Sequence, residues 1–408
     1  MSTPFVLGVN YWPRRKGVAW WSAFDAEEVR EEFGIIADLG LQVVRIFLLW
    51  DDWQPEPDVV AADCLRNLGV VLDIAAACGL RVQVTFFTGH MSGPNWPPRW
   101  LLDEAAPPPS PFVSHVARGR QAVQSSYRNP LHDPVALEAE RLLLRTVISE
   151  YRDHPALWMW SLGNEPDLFA WPANAAAGRA WVREMKALID AHDGSHPVTC
   201  GLHVLSLHFD NGFRVNDVFA ETDVATMHAY PMYLPWARHD LDPDVVPYTC
   251  ALTAALCGKP VLMEEWGGCT VPPGEASQVW EWEAYGEPRQ QFMAAEHDLA
   301  DYVAAVLPRL VEVGATGAML WCFADYSPDL WPYPPYDEAR HERFFGLVRP
   351  DGTLKPHAEV LRRFAASEPA VREVPARTID LGVTPDDYYL TPTDHLLRLF
   401  QDFIGAEL

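Results

Sequence analysis

No stretch of about 18 consecutive apolar residues occurs anywhere in the chain, so no membrane-spanning helix is expected. Basic residues are scarce. Lys and Arg number 31 against 56 Asp and Glu, and the net charge of −25 argues against nucleic acid or an anionic membrane surface as partner. The opening stretch from Met1 to Gly8 has no basic segment leading into an apolar run, so no secretory signal is read there. The seven cysteines (Cys64, Cys78, Cys200, Cys250, Cys257, Cys269 and Cys322) are odd in number and lack Cys-x-x-Cys spacing. They are expected as reduced, buried thiols, not disulfide staples or zinc ligands, and they point to the cytoplasm. No Gly-x-Gly-x-x-Gly follows the first predicted strand and no P-loop appears, which counts against a doubly wound nucleotide-binding sheet. No His-x-His follows that strand either, and no succession of acidic strand ends suggests a magnesium site, so no metal is expected.

What is present suits a large folded core: 408 residues, 49% hydrophobic and 21% charged. Eight short apolar, β-branched runs are predicted as strands, over 5–11, 43–50, 80–87, 156–162, 197–202, 224–229, 260–265 and 317–323. Helical periodicity fills the intervals 61–78, 135–151, 175–192, 245–257 and 290–313, with a weaker pattern over 204–223 and a last helix over 357–366. Asp25 is placed as an N-cap with Glu28 completing a capping box, Val29, Phe33, Ile36 and Leu39 form the buried stripe, and Gly40 ends that helix. Eight βα units predict an α/β fold, a single (β/α)8 TIM barrel. The barrel is assigned to 1–366, and 367–408, ending in the pattern Leu396, Leu397, Phe400 and Phe403, to an extension packed on it. The intervals 90–134, 268–289 and 327–345 are long, and the first is expected to carry short helices. All three follow strands at the C-terminal face, where barrel active sites are built.

Aromatic residues are plentiful, with 17 Trp, 13 Tyr and 18 Phe. Many tryptophans fall at strand ends or in Pro-rich loops, among them Trp12, Trp50, Trp96 and Trp321. A flat apolar ring suits the C–H face of a sugar, so the set favours a carbohydrate site.

The sharpest signal is a pair of carboxylates. Strand four runs through Trp158, Trp160 and Leu162 into Asn164-Glu165-Pro166, and strand seven runs through Val261, Leu262 and Met263 into Glu264-Glu265-Trp266-Gly267. Alternation along a strand puts Val261, Met263 and Glu265 on one face, which selects Glu265 over Glu264 as the mouth-facing group. Two carboxyls across one barrel mouth suit glycoside hydrolysis.

On these motifs the stretch 5–366 resembles a clan A retaining glycoside hydrolase, most like family 5 and its β-mannosidase, mannanase and cellulase relatives. The resemblance implies Glu165 as general acid/base, Glu265 as nucleophile, Asn164 on the sugar 2-hydroxyl and Arg45 beneath the nucleophile, keeping it ionised. Met227-His228-Ala229-Tyr230 matches the family's His-x-Tyr, with Tyr230 orienting Glu265 and His228 positioning the acid/base. Trp321 would floor the reacting subsite and His90 would contact sugar; Tyr11, Trp12, Trp50 and Trp96 are further candidate sugar contacts. The chemistry implied is a double displacement without metal or organic cofactor, with burial raising the Glu165 pKa and Arg45 lowering that of Glu265.

A cytoplasmic enzyme meets imported oligosaccharides, not polymers, and long loops could close a cleft into a pocket. The expectation is therefore an exo-acting β-mannosidase on β-linked manno-oligosaccharides. A β-glucosidase or β-galactosidase, an endo-mannanase or cellulase, and a non-catalytic sugar-binding barrel are the alternatives, and a homo-oligomer is left open.

Overall fold

The computed structural model describes residues 3–113, 115–119 and 121–405. Met1 and Ser2, where the N-terminal reading begins, and 406–408 of the extension lie outside them. Eight parallel strands form one sheet in sequential order: β1 (Val6–Asn10), β2 (Val43–Leu49), β3 (Arg81–Thr88), β4 (Leu157–Asn164), β5 (Val198–Gly201), β6 (Ala225–His228), β7 (Val261–Gly267) and β8 (Gly317–Trp321). β8 pairs with β1, and β5 meets β6 through the parallel bridge His203↔His228, so the sheet is a nearly closed (β/α)8 barrel, as expected. β2, β4 and β7 read as near-continuous apolar runs because helices cover the outside and packed side chains fill the inside. Val43, Leu262 and Met319 form a separate small cluster, joined by Val6, Trp158 and Val224. Five of these residues come from five different strands and Val224 directly precedes β6, so they meet on the barrel axis.

The helices are α1 (Ala26–Asp38), α2 (Ala62–Ala77), α3 (Pro134–Tyr151), α4 (Ala175–His192), α5 (Val215–Glu221), α6 (Val245–Cys257), α7 (Glu296–Glu312) and α8 (Pro356–Ala366). Asp25 caps α1, accepting from the Glu27 and Glu28 amides, and Gly40 ends it at φ +76°. The capping box is not completed, because the Glu28 carboxylate instead accepts the Arg15 amide and guanidinium. The 204–223 helix is broken in two, Leu205–His208 and α5: the Asn211 side chain accepts the Phe213 amide and Gly212 takes φ +85°, a turn that helical backbone cannot continue.

The long loops differ from expectation. In 90–134 the expected helices reduce to one 3-10 turn, Arg99–Leu101, and the main feature is a hairpin, His115–Arg118 with Gln121–Gln124. The helix expected from 290 starts at Glu296, because Glu287–Met293 pairs with Gln278–Ala284 in a second hairpin. Its turn is Tyr285-Gly286, both at positive φ, the conformation of a tight two-residue hairpin. In the tail, α9 (Pro392–Gly405) buries Leu396, Phe400 and Phe403 and leaves Leu397 outside, while the Tyr388 and Tyr389 hydroxyls donate to the Leu207 and Ser206 carbonyls.

Candidate active site

Glu165 stands where β4 turns away from the barrel. Its backbone is left-handed, φ +47° and ψ +54°, and Pro166 then opens the short helix Pro166–Phe169. The amide of Glu165 donates to the Gly201 carbonyl on β5, 2.9 Å, which fixes the turn against the neighbouring strand.

Across the mouth, β7 presents two adjacent glutamates, and only one reaches the cavity. Leu262 lies on the barrel axis and Met263 packs into the outer core, so alternation sends Glu264 inward and would send Glu265 outward. The register slips here: β6 pairs Met227 with Met263 but His228 with Glu265. That irregularity turns Glu265 into the mouth and leaves Glu264 fully buried beneath it. The residue expected at the mouth is there, but strict alternation is not what places it.

Arg45 holds the floor together. Asn10, Arg45 and Gln83 are side by side across β1, β2 and β3. The Arg45 guanidinium donates to Glu265 Oε1 at 2.5 Å, to Asn164 Oδ1 and Asn10 Oδ1 at 3.0 Å each, and to Thr85 Oγ1 at 3.1 Å. Glu264 lies 3.5 Å from Arg45 Nε and accepts from Gln83 Nε2. A charge at zero exposure is tolerable only with such partners. Gly201 is required beside them, since a Cβ there would stand 2.7 Å from Glu264 Oε2 and 2.9 Å from Arg45 Nη2. Tyr230 donates to Glu265 Oε2 at 2.9 Å, and the Asn164 amide donates to the His90 carbonyl at 3.0 Å.

His228 bridges the carboxylates, with Nδ1 3.0 Å from Glu165 Oε1 and Nε2 2.9 Å from Glu264 Oε2. Burial alone would lower its pKa, but Glu265, Glu165 and Glu264 outweigh burial and push it up to about 10, so it is a cation near neutral pH. Burial raises Glu165, yet the surrounding imidazoles His203, His228 and His90 bring it down to about 2. Burial pushes His203 itself to about 4, which leaves His228 as the charged one. Glu265 is raised by burial against the pull of His228 and Arg45. The expected split between the two carboxyls is therefore reversed, because the imidazoles around Glu165 outweigh its burial while burial prevails at Glu265.

Oxygens of Glu165 and Glu265 and a nitrogen of His228 all lie within 4.8 Å of one another, a spacing that a metal ion could bridge. The donor set does not fit one: both His228 nitrogens face carboxylates and carry protons, and Arg45 already neutralises Glu265.

A cavity of about 270 Å³ opens above the pair. His90, Asn164, Glu165, Tyr230, Glu265 and Trp321 line it, while Arg45 and His228 sit underneath. Trp12 and Trp50 do not reach it. Trp12 stacks on Phe47 and Trp50 packs against Phe87, Trp100 and Phe169, each about 1% exposed, so they build the wall and cannot touch sugar. Tyr11 is also buried, donating to Glu32. Trp96 donates to the Met91 carbonyl and faces a separate cavity. The structure adds His203, Tyr233, His341, Glu342 and Phe345 to the lining. His341, Glu342 and Phe345 lie in the 327–345 interval, which is at the expected face of the barrel, but no spacing within it distinguishes them; His203 and Tyr233 follow β5 and β6.

Barrel and paired carboxylates define a glycoside hydrolase. Residues 100–367 match the TIM barrel domain of glycosyl hydrolases family 2, and the chain belongs to that family, among the clan A glycoside hydrolases. It is similar to mannan endo-1,4-β-mannosidase 4 of Oryza sativa subsp. japonica, 28% identical over 145 residues, covering 29% of each chain. Mannan endo-1,4-β-mannosidase A of Hypocrea jecorina is 23% identical over 278 residues, 61% of this chain and 58% of that one. Among solved structures, an exo-β-1,4-mannosidase from Opitutaceae bacterium strain TAV5 superposes with a TM-score of 0.72 at 27% identity, over 89% of this chain and 59% of that one. GH5_18 from Streptomyces cattleya in complex with Manβ1-4GlcNAc gives 0.73 at 21% identity, over 90% and 83%, a likeness of fold. The chain thus spans less than a third of the rice relative and under two thirds of the next two. Among the described residues, no helix is long and apolar enough to cross a membrane.

Proposed function

We propose that the chain is a retaining, exo-acting β-mannosidase that cleaves a terminal mannose from β-linked oligosaccharides. The observation that carries this reading is the approach of Glu165 and Glu265, oxygen to oxygen within 4.8 Å. Retaining enzymes keep their carboxyls about 5–5.5 Å apart, and inverting ones need roughly 6.5–9.5 Å for an intervening water.

In this reading Glu265 attacks the anomeric carbon, held by Arg45 and Tyr230 with one oxygen on each. Glu165 protonates the leaving oxygen, drawing on the proton it shares with His228, and then deprotonates the water that frees the sugar. Asn164 accepts from Arg45 and offers its remaining amide hydrogen to the 2-hydroxyl. Trp321 presents its ring beneath the sugar.

Exo action is supported by the two hairpins beside the cavity, where Trp282 packs on the lining residue His341 with ring centres 5.7 Å apart. The Trp282 indole donates to the Glu338 carbonyl at 2.6 Å, and Tyr285 at the tip of one hairpin stacks on His115 of the other with ring centres 4.3 Å apart. At about 270 Å³ the cavity is close to the lower limit of small-molecule pockets, about 300 Å³, which suits a short glycone better than a polymer. Mannose as the sugar is supported by the mannosidase relatives. Seven unpaired cysteines support a reducing compartment such as the cytoplasm.

The test is hydrolysis of p-nitrophenyl β-mannoside, β-glucoside and β-galactoside beside mannan and carboxymethyl-cellulose. Fast mannoside cleavage with inert polymers is expected. Activity on polymer alone would replace the exo reading with an endo one, and a faster glucoside or galactoside would change the sugar.

A further inference from the structure

The cavity contains a third carboxyl that the double displacement does not use. Glu342 lies in the 3-10 turn Arg340–Phe344 beyond β8, 8% exposed, and lines the same cavity as Glu165 and Glu265. Its Oε2 is buried with no hydrogen-bond partner. Burial, together with the Glu265 and Glu165 charges, pushes its pKa up to about 7, while the Ser92 hydroxyl and the Trp321 indole N–H pull the other way and favour the charged form. His341 does not neutralise it. The imidazole lies 3.5 Å from Oε1 but burial pushes its pKa to about 4, so it is uncharged near neutral pH.

This carboxyl is held in place from both sides. Below, the buried Lys355 ammonium donates to the Phe344 carbonyl at 3.0 Å, to Asp325 at 2.7 Å and to Thr270 at 2.8 Å, and the Cys322 amide donates to the Phe345 carbonyl at 3.2 Å. Above, the Glu338 side chain accepts the Tyr285 amide at 2.8 Å. A rigid backbone that aims an unsatisfied acceptor at a small cavity is the arrangement that recognises donors on a ligand, because a buried acceptor left empty is costly.

We infer that Glu342 is a specificity-determining residue, its carboxylate accepting hydrogen bonds from hydroxyl groups of the glycone other than the 2-hydroxyl assigned to Asn164. The inference rests on the glycosidase reading of the site. A carboxylate is acceptor-only and can take two hydroxyls at once, so it favours a sugar with free neighbouring hydroxyls and rejects one where a hydroxyl is missing.

The experiment compares p-nitrophenyl β-mannoside with its 3-, 4- and 6-deoxy analogues on the wild type, Glu342→Ala and Glu342→Gln, with thermal melting of each protein to confirm folding. On at least one analogue the wild type is expected to lose about 10- to 100-fold in kcat/KM, as for a hydrogen bond to a charged group. Glu342→Ala should lose little further on that analogue, having already lost the contact. Glu342→Gln, isosteric and the variant that answers if the alanine form does not fold, should reduce the discrimination. Equal losses on every analogue in the wild type and in both variants would overturn the role of Glu342 while leaving the glycosidase reading intact. A wild type that cleaves no β-glycoside would instead remove the reading underneath.

Discussion

The His228 imidazole lies 3.0 Å from Glu165 Oε1, and the proton between them is kept on the imidazole by Glu265, Glu165 and Glu264 together. The cation persists to about 10 because three carboxylates surround it, and Glu165 stays ionised to about 2 because His203, His228 and His90 outweigh its burial. Near neutral pH the pair therefore carries one proton, available to a leaving oxygen by transfer across one hydrogen bond.

Replacing His228 with asparagine should expose that coupling. Without that cation only His203 and His90 oppose the burial of Glu165, so its carboxyl should titrate higher than in the wild type. The proton needed for catalysis is then lost at lower pH, so the alkaline limb of the kcat/KM profile should move down by at least about one unit. A limb that stays where the wild type has it would show that His228 does not hold the proton.

Glu265→Ala should reduce turnover by at least about a thousandfold, as expected when a covalent nucleophile is removed. Azide should restore part of the activity by attacking from the vacated side. Normal turnover in the variant would turn attention to Glu264, which lies fully buried and bound to Arg45, Gln83 and His228.

Glu165→Ala should separate substrates by leaving group. A p-nitrophenolate leaves without a proton and a sugar hydroxyl does not, so p-nitrophenyl β-mannoside should be spared in the first step far more than a manno-oligosaccharide. Steady-state rates on the two substrates would check this, and equal losses would remove the acid role.

The strands and the strand-end glutamates were legible because they depend on local sequence: apolar runs of strand length, and Asn-Glu-Pro or Glu-Glu-Trp-Gly where those runs stop. Trp12 and Trp50 were misplaced because position at a strand end gives an aromatic ring's location but not its direction, and both point into packed wall. The two hairpins were missed because His115–Arg118 and Gln121–Gln124 are only four residues each, and Gln278–Ala284 and Glu287–Met293 are half-exposed strands that lack a continuous apolar run. Glu342 and His341 were missed because only the folded loop, anchored by Lys355 and Asp325 from elsewhere in the chain, carries them to the cavity. The reversed charge state of Glu165 follows from His228, whose distance to it is set by two strands that the sequence does not place side by side.

Away from the site, Glu140 gives a pH-dependent stability that can be measured separately from activity. It is fully buried on α3, its carboxylate accepts the Trp181 indole N–H at 2.9 Å, and burial pushes its pKa up to about 8. In the unfolded chain the same group titrates at about 4.3. Below that value both states hold the proton and the group contributes nothing to pH dependence. As pH rises toward 8 only the unfolded state releases it, so stability falls, and above 8 the cost is constant. Glu140→Gln keeps the acceptor for Trp181 and removes the titration. Chemical denaturation should find the variant close to wild type at pH 5 and more stable at pH 9 by roughly 2–4 kcal/mol. The same difference at both pH values would mean that Glu140 is ionised in the fold throughout, with a compensating charge beside α3.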